Sequence, residues 1–153
     1  MGRARFAAGA STRHCGGQCC QRGVSVDVAE RDRIVAHALL VQGAMDPHQL
    51  RDPVGWFDPE PRLDGDFPSG RAVRSTIHGG ACVFLDARRR CVLHALSLKP
   101  FRCRAYPLVV DRGAIVLDPD TALRPLDCCG TAGGGPLTVL DVCPEELELF
   151  RRR

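Results

Sequence analysis

Apolar residues recur at helical spacing in one stretch near the start of the chain, between residues 28 and 41. The stripe consists of Ile34, Val35, Ala38, Leu39 and Val41. This period predicts one continuous helix whose stripe faces the core. Asp27 and Glu30 have the spacing of a reciprocal capping box at its start, and Gly43 predicts its end. His37 lies off the stripe and is expected at the surface.

Short apolar runs separated by turn residues predict strands in the rest of the chain. The predicted strands cover residues 24–26, 72–77, 81–85, 108–110 and 114–117. Two glycines at residues 79–80 and the Asp-Arg-Gly run at residues 111–113 predict tight turns in two hairpins. A short helix is expected at residues 92–98. A terminal helix is expected to begin near Cys143, because Pro144 suits a first helical turn.

Residues 45–70 are rich in Asp, Pro and Gly, which predicts a loop insertion anchored by Trp56. Residues 1–13 are expected to form a flexible N-terminal tail, and residues 14–153 a cysteine-cluster metal-binding domain. The fold class predicted is α+β: a small irregular single domain with short strands and hairpins and two or three helices. A cysteine-ligated metal centre is expected to cross-link it.

Composition narrows the classes of function. Aromatic residues are only 5% of the 153, and Gly and Pro number 16 and 11, so the predicted core is thin and benefits from cross-links. The net charge is +3, and the arginine runs at 88–90 and 151–153 are more typical of solvated segments than of a phosphate site, so a nucleic-acid partner is not expected. A secretory signal and a membrane-length apolar stretch are not seen, which favours a cytoplasmic protein without membrane contact.

Eight of the nine cysteines are concentrated at three places in the sequence, and the ninth, Cys143, lies apart. Cys82, Cys91 and Cys103 lie with His94 within 22 residues. Upstream are Cys15, Cys19 and Cys20 beside His14, and downstream are Cys128 and Cys129. In a reducing compartment thiolate ligands are favoured over disulfides, and an odd count fits a closed set of bridges poorly. The pattern therefore predicts a cysteine-ligated metal.

Several points of the metal chemistry stay open at this level. Zinc and iron–sulfur clusters both take thiolates, commonly four per centre. Adjacent side chains in extended backbone point to opposite faces, so Cys19 and Cys20 serve two centres, or one binds and the other packs behind it. Arg102 and Arg104 flank Cys103 and either offset thiolate charge or point to solvent.

The order of these motifs resembles the YkgJ-like cysteine-cluster family, for which zinc or iron chelation is expected. The resemblance is carried by Cys15-x3-Cys19-Cys20, Cys82-Val-Phe-Leu, Cys91-Val-Leu-His, Lys99-Pro-Phe-Arg-Cys103-Arg-Ala-Tyr-Pro and Asp127-Cys128-x-Gly130, and it covers residues 14–130. It implies that the metal ligands are Cys15, Cys19, Cys20, Cys82, Cys91, Cys103 and Cys128. It leaves open whether Cys129, Cys143 or His94 also binds, and whether there are one or two centres.

The leading functional hypothesis is a metal-binding protein with a zinc or iron–sulfur centre in a structural, redox or carrier role. A looser similarity to flagellin lysine N-methylases implies an S-adenosylmethionine-dependent enzyme as an alternative. The glycines at residues 133–135 do not follow a predicted strand, as a site for that cofactor would require. A thiol-based redox protein is the third hypothesis, and it requires exposed thiols of low pKa. Whether the protein is an enzyme, and which protein partner it has, are left undecided.

Overall fold

The computed structural model describes residues 5–6, 18–118, 137–138 and 143–152, with the backbone alone at 5–6, 18–19 and 137–138. Its described part mixes helices with short antiparallel strands. The chain divides into two compact units, one of residues 19–103 and the other of residues 1–18 and 104–153. The predicted division into a tail of residues 1–13 and a domain of residues 14–153 stays a prediction.

The described elements are short. The strands are β1 Arg5–Phe6, β2 Ser25–Asp27, β3 Arg62–Leu63, β4 Arg71–Arg74, β5 Ile77–His78, β6 Ala81–Cys82, β7 Leu108–Asp111, β8 Ala114–Leu117 and β9 Leu137–Thr138. The α-helices are α1 Val28–Ala36, α2 Ala38–Ala44, α3 Val92–Ala95, α4 Phe101–Ala105 and α5 Pro144–Arg151, and 3₁₀ turns cover Gln18–Arg22 and Pro53–Gly55. Among the described residues there are thus five α-helices, where the sequence predicted two or three.

The unit of residues 19–103 is built on a three-stranded antiparallel sheet in the order β2-β4-β3. Its core surrounds Trp56, which is fully buried and packs edge-on against Phe84, with ring centroids 5.4 Å apart. The indole N–H donates to the Leu50 carbonyl at 2.8 Å, so the ring's one polar group is satisfied. Trp56 therefore anchors the segment of residues 45–70, as predicted, although this segment also contributes the strand β3.

The helix predicted over residues 28–41 is wrong in one respect, because it breaks at His37. The His37 ring donates Nδ1–H to the Arg33 carbonyl at 2.8 Å, while its backbone N–H turns to Ile34 at 3.1 Å. The side chain thus takes the acceptor that a continuing helix would use. Ile34, Ala38 and Val41 of the predicted stripe do contribute to the core. Val35 and Leu39 do not, and Leu39 is 86% exposed.

The unit of residues 1–18 and 104–153 contains the predicted hairpin, β7–β8, with Leu108 paired to Leu117. Arg112 and Gly113 both have positive φ, as a two-residue turn of this kind requires. The backbone of β1 pairs with β9 in the same unit. The predicted terminal helix is α5, and Cys143 occupies its N-cap position. Across the residues that the structure describes, every helix is too short or too polar to cross a membrane.

Replacement of Gly23 by alanine is expected to destabilise the fold by about 2–3 kcal/mol. Gly23 has φ +68°, and a Cβ there would lie 2.7 Å from the Ser75 carbonyl oxygen. Gly43 provides the matched control, because it lies in α2 and a Cβ would meet nothing within 4 Å. Gly43→Ala should stabilise the protein by about 0.5 kcal/mol through helix propensity. Urea unfolding of both variants checks this, and equal effects would contradict it.

Candidate metal centre

Cys82 is positioned by the hairpin β5–β6. Gly79 and Gly80 both have positive φ and close the turn that pairs Ile77 with Cys82. Only Ala81–Cys82 of the strand predicted over residues 81–85 is extended, because the chain turns after Cys82 to bury the next two side chains. Cys82 is itself a buried member of the hydrophobic core. Its Sγ lies 3.5 Å from Ser75 Oγ.

Cys91 is returned to the same region by a closed loop. The Asp86 carboxylate accepts the Arg90 backbone N–H at 2.8 Å and its guanidinium at 2.9–3.0 Å. Leu85 then forms an antiparallel bridge with Cys91. Cys91 is the N-cap residue of α3, and its half-buried side chain packs on the core. Arg90, the last arginine of the 88–90 run, therefore stabilises this loop by pairing with Asp86.

Cys20 lies in the 3₁₀ turn Gln18–Arg22 and also packs on the core. The Arg74 guanidinium donates to the Arg22 carbonyl at 2.6 Å and so ties the end of this turn to β4. Gly23 follows at once and allows the chain to pass against Ser75. Cys20 is therefore held beside β4, the strand that precedes the β5–β6 hairpin.

Cys103 lies in α4, which is attached to α1 by a hydrogen bond. The Glu30 carboxylate accepts the backbone N–H of Phe101 at 2.7 Å. The predicted capping box is therefore wrong in its second half. Asp27 does cap α1, accepting the Ala29 N–H at 2.7 Å, but Glu30 serves the other helix. The sequence spacing alone could not show this partner, which is 71 positions away.

The structure places four of the predicted ligands near enough for their charges to interact: Cys20, Cys82, Cys91 and Cys103. Electrostatic interaction between thiolates connects every pair among the four. Burial raises the pKa of Cys82, raises that of Cys91 to about 11, and raises that of Cys103 well above its usual value. The neighbouring thiols add to these shifts, because each thiolate would repel the others. In the absence of a cation the cluster therefore favours neutral thiols.

The four sulfurs are neighbours without forming a ligand cage. Within residues 20–118 and 143–152, no three side chains of the His, Cys, Asp or Glu type are arranged closely enough to hold a metal ion. Cys82, Cys91, Cys103 and Cys143 are not paired in disulfide bonds. The donor set nevertheless has the right chemistry, since four thiols match the number that zinc and iron–sulfur centres commonly take.

The other predicted ligands are not tested by this geometry. Cys15 and Cys128 lie outside the described residues, as do Cys129 and His14, and only the backbone of Cys19 is described. Whether these cysteines bind metal stays a prediction. His94 is exposed on α3, and His78 is exposed on β5. Cys143 is fully buried, and burial followed by the charge of Glu146 raises its pKa to about 12.

A lysine that was not considered from the sequence acts on the cluster. Arg102 lies over the Phe67 ring, 5.5 Å from its centroid, and Arg104 is exposed. The charge of Lys99 lowers the pKa of Cys103, against the larger effect of burial. Lys99 is the single lysine of the chain and stands four residues before Cys103. Its being the single lysine is the feature of the sequence that could have drawn attention to Lys99.

Comparison with known families supports the same chemistry. Residues 11–131 match the model of the CxxCxxCC family, described as a "putative zinc- or iron-chelating domain". This span is most of the chain, and the protein belongs to this family. The match confirms the cysteine-cluster resemblance found in the sequence. No curated protein and no solved structure in the comparisons matches the chain.

Proposed function

We propose that Cys20, Cys82, Cys91 and Cys103 bind a zinc ion or an iron centre through four thiolates. The mutual electrostatic coupling of these four side chains carries the proposal. They come from four separate elements: a 3₁₀ turn, a hairpin, a helix N-cap and α4. A metal centre requires thiols from distant parts of the sequence to come together, and these four are near enough for their charges to interact. The family description points to the same two metals.

The role that this arrangement supports best is structural. A metal bound to these residues would cross-link Cys20, near the start of the unit of residues 19–103, to Cys103 at its end. It would also supply charge compensation, because a cation favours the thiolate forms that burial disfavours. Lys99 adds a second positive charge near Cys103. The bound metal would therefore contribute directly to the stability of a unit with a small core.

The two alternative functions have less support from the described residues. A thiol redox protein requires thiolates at neutral pH, whereas burial raises the pKa of Cys82, Cys91 and Cys103. Methyl transfer from S-adenosylmethionine stays a prediction, to be tested by calorimetry with that cofactor. A cytoplasmic location and the expectation of no nucleic-acid partner also stay predictions.

Anaerobic purification followed by metal analysis and a visible spectrum tests the proposal. We expect metal bound in a fixed ratio to protein. A colourless zinc protein would identify a zinc scaffold, whereas iron with acid-labile sulfide would identify a cluster. Protein without metal, or with its thiols paired as disulfides, would contradict the proposal.

A further inference from the structure

Ser75 connects two of the proposed ligand segments through one buried hydroxyl. Ser75 is one of two buried polar residues in the part of the chain that the structure describes, with 2% of the residue exposed. Its Oγ accepts the backbone N–H of Val24 at 2.9 Å, four residues after Cys20. The same Oγ lies 3.5 Å from Cys82 Sγ. Ser75 N–H also donates to the Val24 carbonyl at 2.8 Å, so the residue is held from both sides.

When Cys82 is a thiolate, only one group can donate the proton in the hydrogen bond between Ser75 Oγ and Cys82 Sγ. A serine hydroxyl offers one proton and two acceptor lone pairs. The Val24 N–H occupies a lone pair, and the thiolate has no proton to donate. The bond between Oγ and Sγ must therefore be donated by the Ser75 hydroxyl. In the neutral thiol the Cys82 S–H can donate instead, as the structure places it.

We propose that Ser75 is a positioning residue of the metal centre, whose hydroxyl donates a hydrogen bond to the metal-bound sulfur of Cys82. This inference rests on the proposed function and adds a residue that lies outside the cysteine motifs. The hydrogen bond withdraws charge from the sulfur and fixes its direction. Because the sulfur is held in one direction, metal is bound more tightly with the Ser75 hydroxyl than without it.

Three variants of the full chain separate this role from a contribution to the fold. Ser75→Ala removes the donor and also leaves the Val24 N–H without its acceptor. Ser75→Thr retains a hydroxyl and serves as the conservative variant. Asp27→Ala is the matched control, because it also deprives two backbone N–H groups, of Ala29 and Ser69, of a buried acceptor. Asp27 is not among the groups that shift the pKa of Cys82, Cys91 or Cys103.

The experiment measures the affinity of each variant for Zn²⁺ and Co²⁺ by competition with a chelator, at a temperature where circular dichroism shows every metal-free variant to be folded. Ser75→Ala should bind about 10- to 100-fold more weakly than the wild type, and Asp27→Ala and Ser75→Thr within about threefold of it. The sulfur-to-cobalt charge-transfer band should shift to lower energy in Ser75→Ala alone, because its sulfur is more electron-rich.

The outcomes distinguish the two levels of the proposal. Equal affinity and an unchanged band in Ser75→Ala would overturn the role of Ser75 while leaving the metal centre intact. Equal losses in Ser75→Ala and Asp27→Ala, with no band shift, would show an effect on the fold and would also overturn it. A wild-type protein that binds neither metal would overturn the proposed function and this inference together.

Discussion

Replacement of Cys91 by serine is expected to lower the affinity for zinc by about 100-fold or more. Structural zinc sites with four ligands contribute on the order of 10–16 kcal/mol, or about 3 kcal/mol per ligand. Cys91 suits this test best, because it is the N-cap of α3 and serine is a favoured N-cap residue. The substitution therefore removes the thiolate while preserving the local helix. Competition with a chromophoric chelator measures the loss.

Cys143→Ala is the matched control for that experiment. Cys143 is fully buried, and the charged group that acts on it is Glu146 rather than one of the four clustered thiols. Its replacement should reduce stability by about 1–2 kcal/mol through the lost packing. Metal affinity should be unchanged. Similar zinc affinities for Cys91→Ser and the wild type would contradict the four-thiolate centre, and a loss in Cys143→Ala would add Cys143 to the ligands.

Zinc binding at pH 7 is expected to release at least three protons per metal ion. Burial raises the pKa of Cys82 and Cys103, and that of Cys91 to about 11, so these thiols keep their protons at neutral pH. The metal binds thiolates and must displace those protons. Protons therefore compete with the metal, and the affinity should fall about 10³-fold for each pH unit of acidification, given three protons released.

Calorimetric titration with zinc in two buffers of different ionisation enthalpy counts the released protons. Cys91→Ser should release one proton fewer than the wild type, since its hydroxyl has no proton to lose near pH 7. Release of one proton or none by the wild type would contradict coordination by these buried thiols. Comparison with Cys91→Ser therefore assigns one of the released protons to Cys91.

The sequence predicts those parts of the fold that depend on neighbouring residues. The β7–β8 hairpin follows from an Arg112-Gly113 turn that permits positive φ at both positions. The start of α5 follows from Pro144. Each of these features is decided within a few positions of chain, so local backbone chemistry is enough to predict it.

Features decided by distant residues could not be predicted in the same way. The Glu30 carboxylate satisfies either the start of its own helix or a distant N–H, and only the fold shows that it bonds Phe101. His37 ends α1 through a hydrogen bond from its side chain to the Arg33 carbonyl. The sequence does not predict this bond, because an exposed polar residue in a helix usually faces solvent. Leu39 is exposed although it belongs to the predicted stripe, because the period of the stripe assumes one straight helix.

The candidate site shows the same limit. Cysteine spacing and family resemblance identify Cys20, Cys82, Cys91 and Cys103, yet they do not distinguish these from the other predicted ligands. Which thiols gather is a consequence of long-range packing. The residues around the thiols are harder still to predict, since the Ser75 hydroxyl lies 3.5 Å from Cys82 Sγ without belonging to any motif.

X-ray absorption at the edge of the bound metal tests the central claim most directly, because it reports the atoms that surround the metal. We expect a shell of four sulfur atoms at about 2.3 Å in the purified wild-type protein. In Cys91→Ser the shell should contain one sulfur fewer. A wild-type shell dominated by nitrogen or oxygen, or one that Cys91→Ser leaves unchanged, would contradict a metal centre built from these four thiolates.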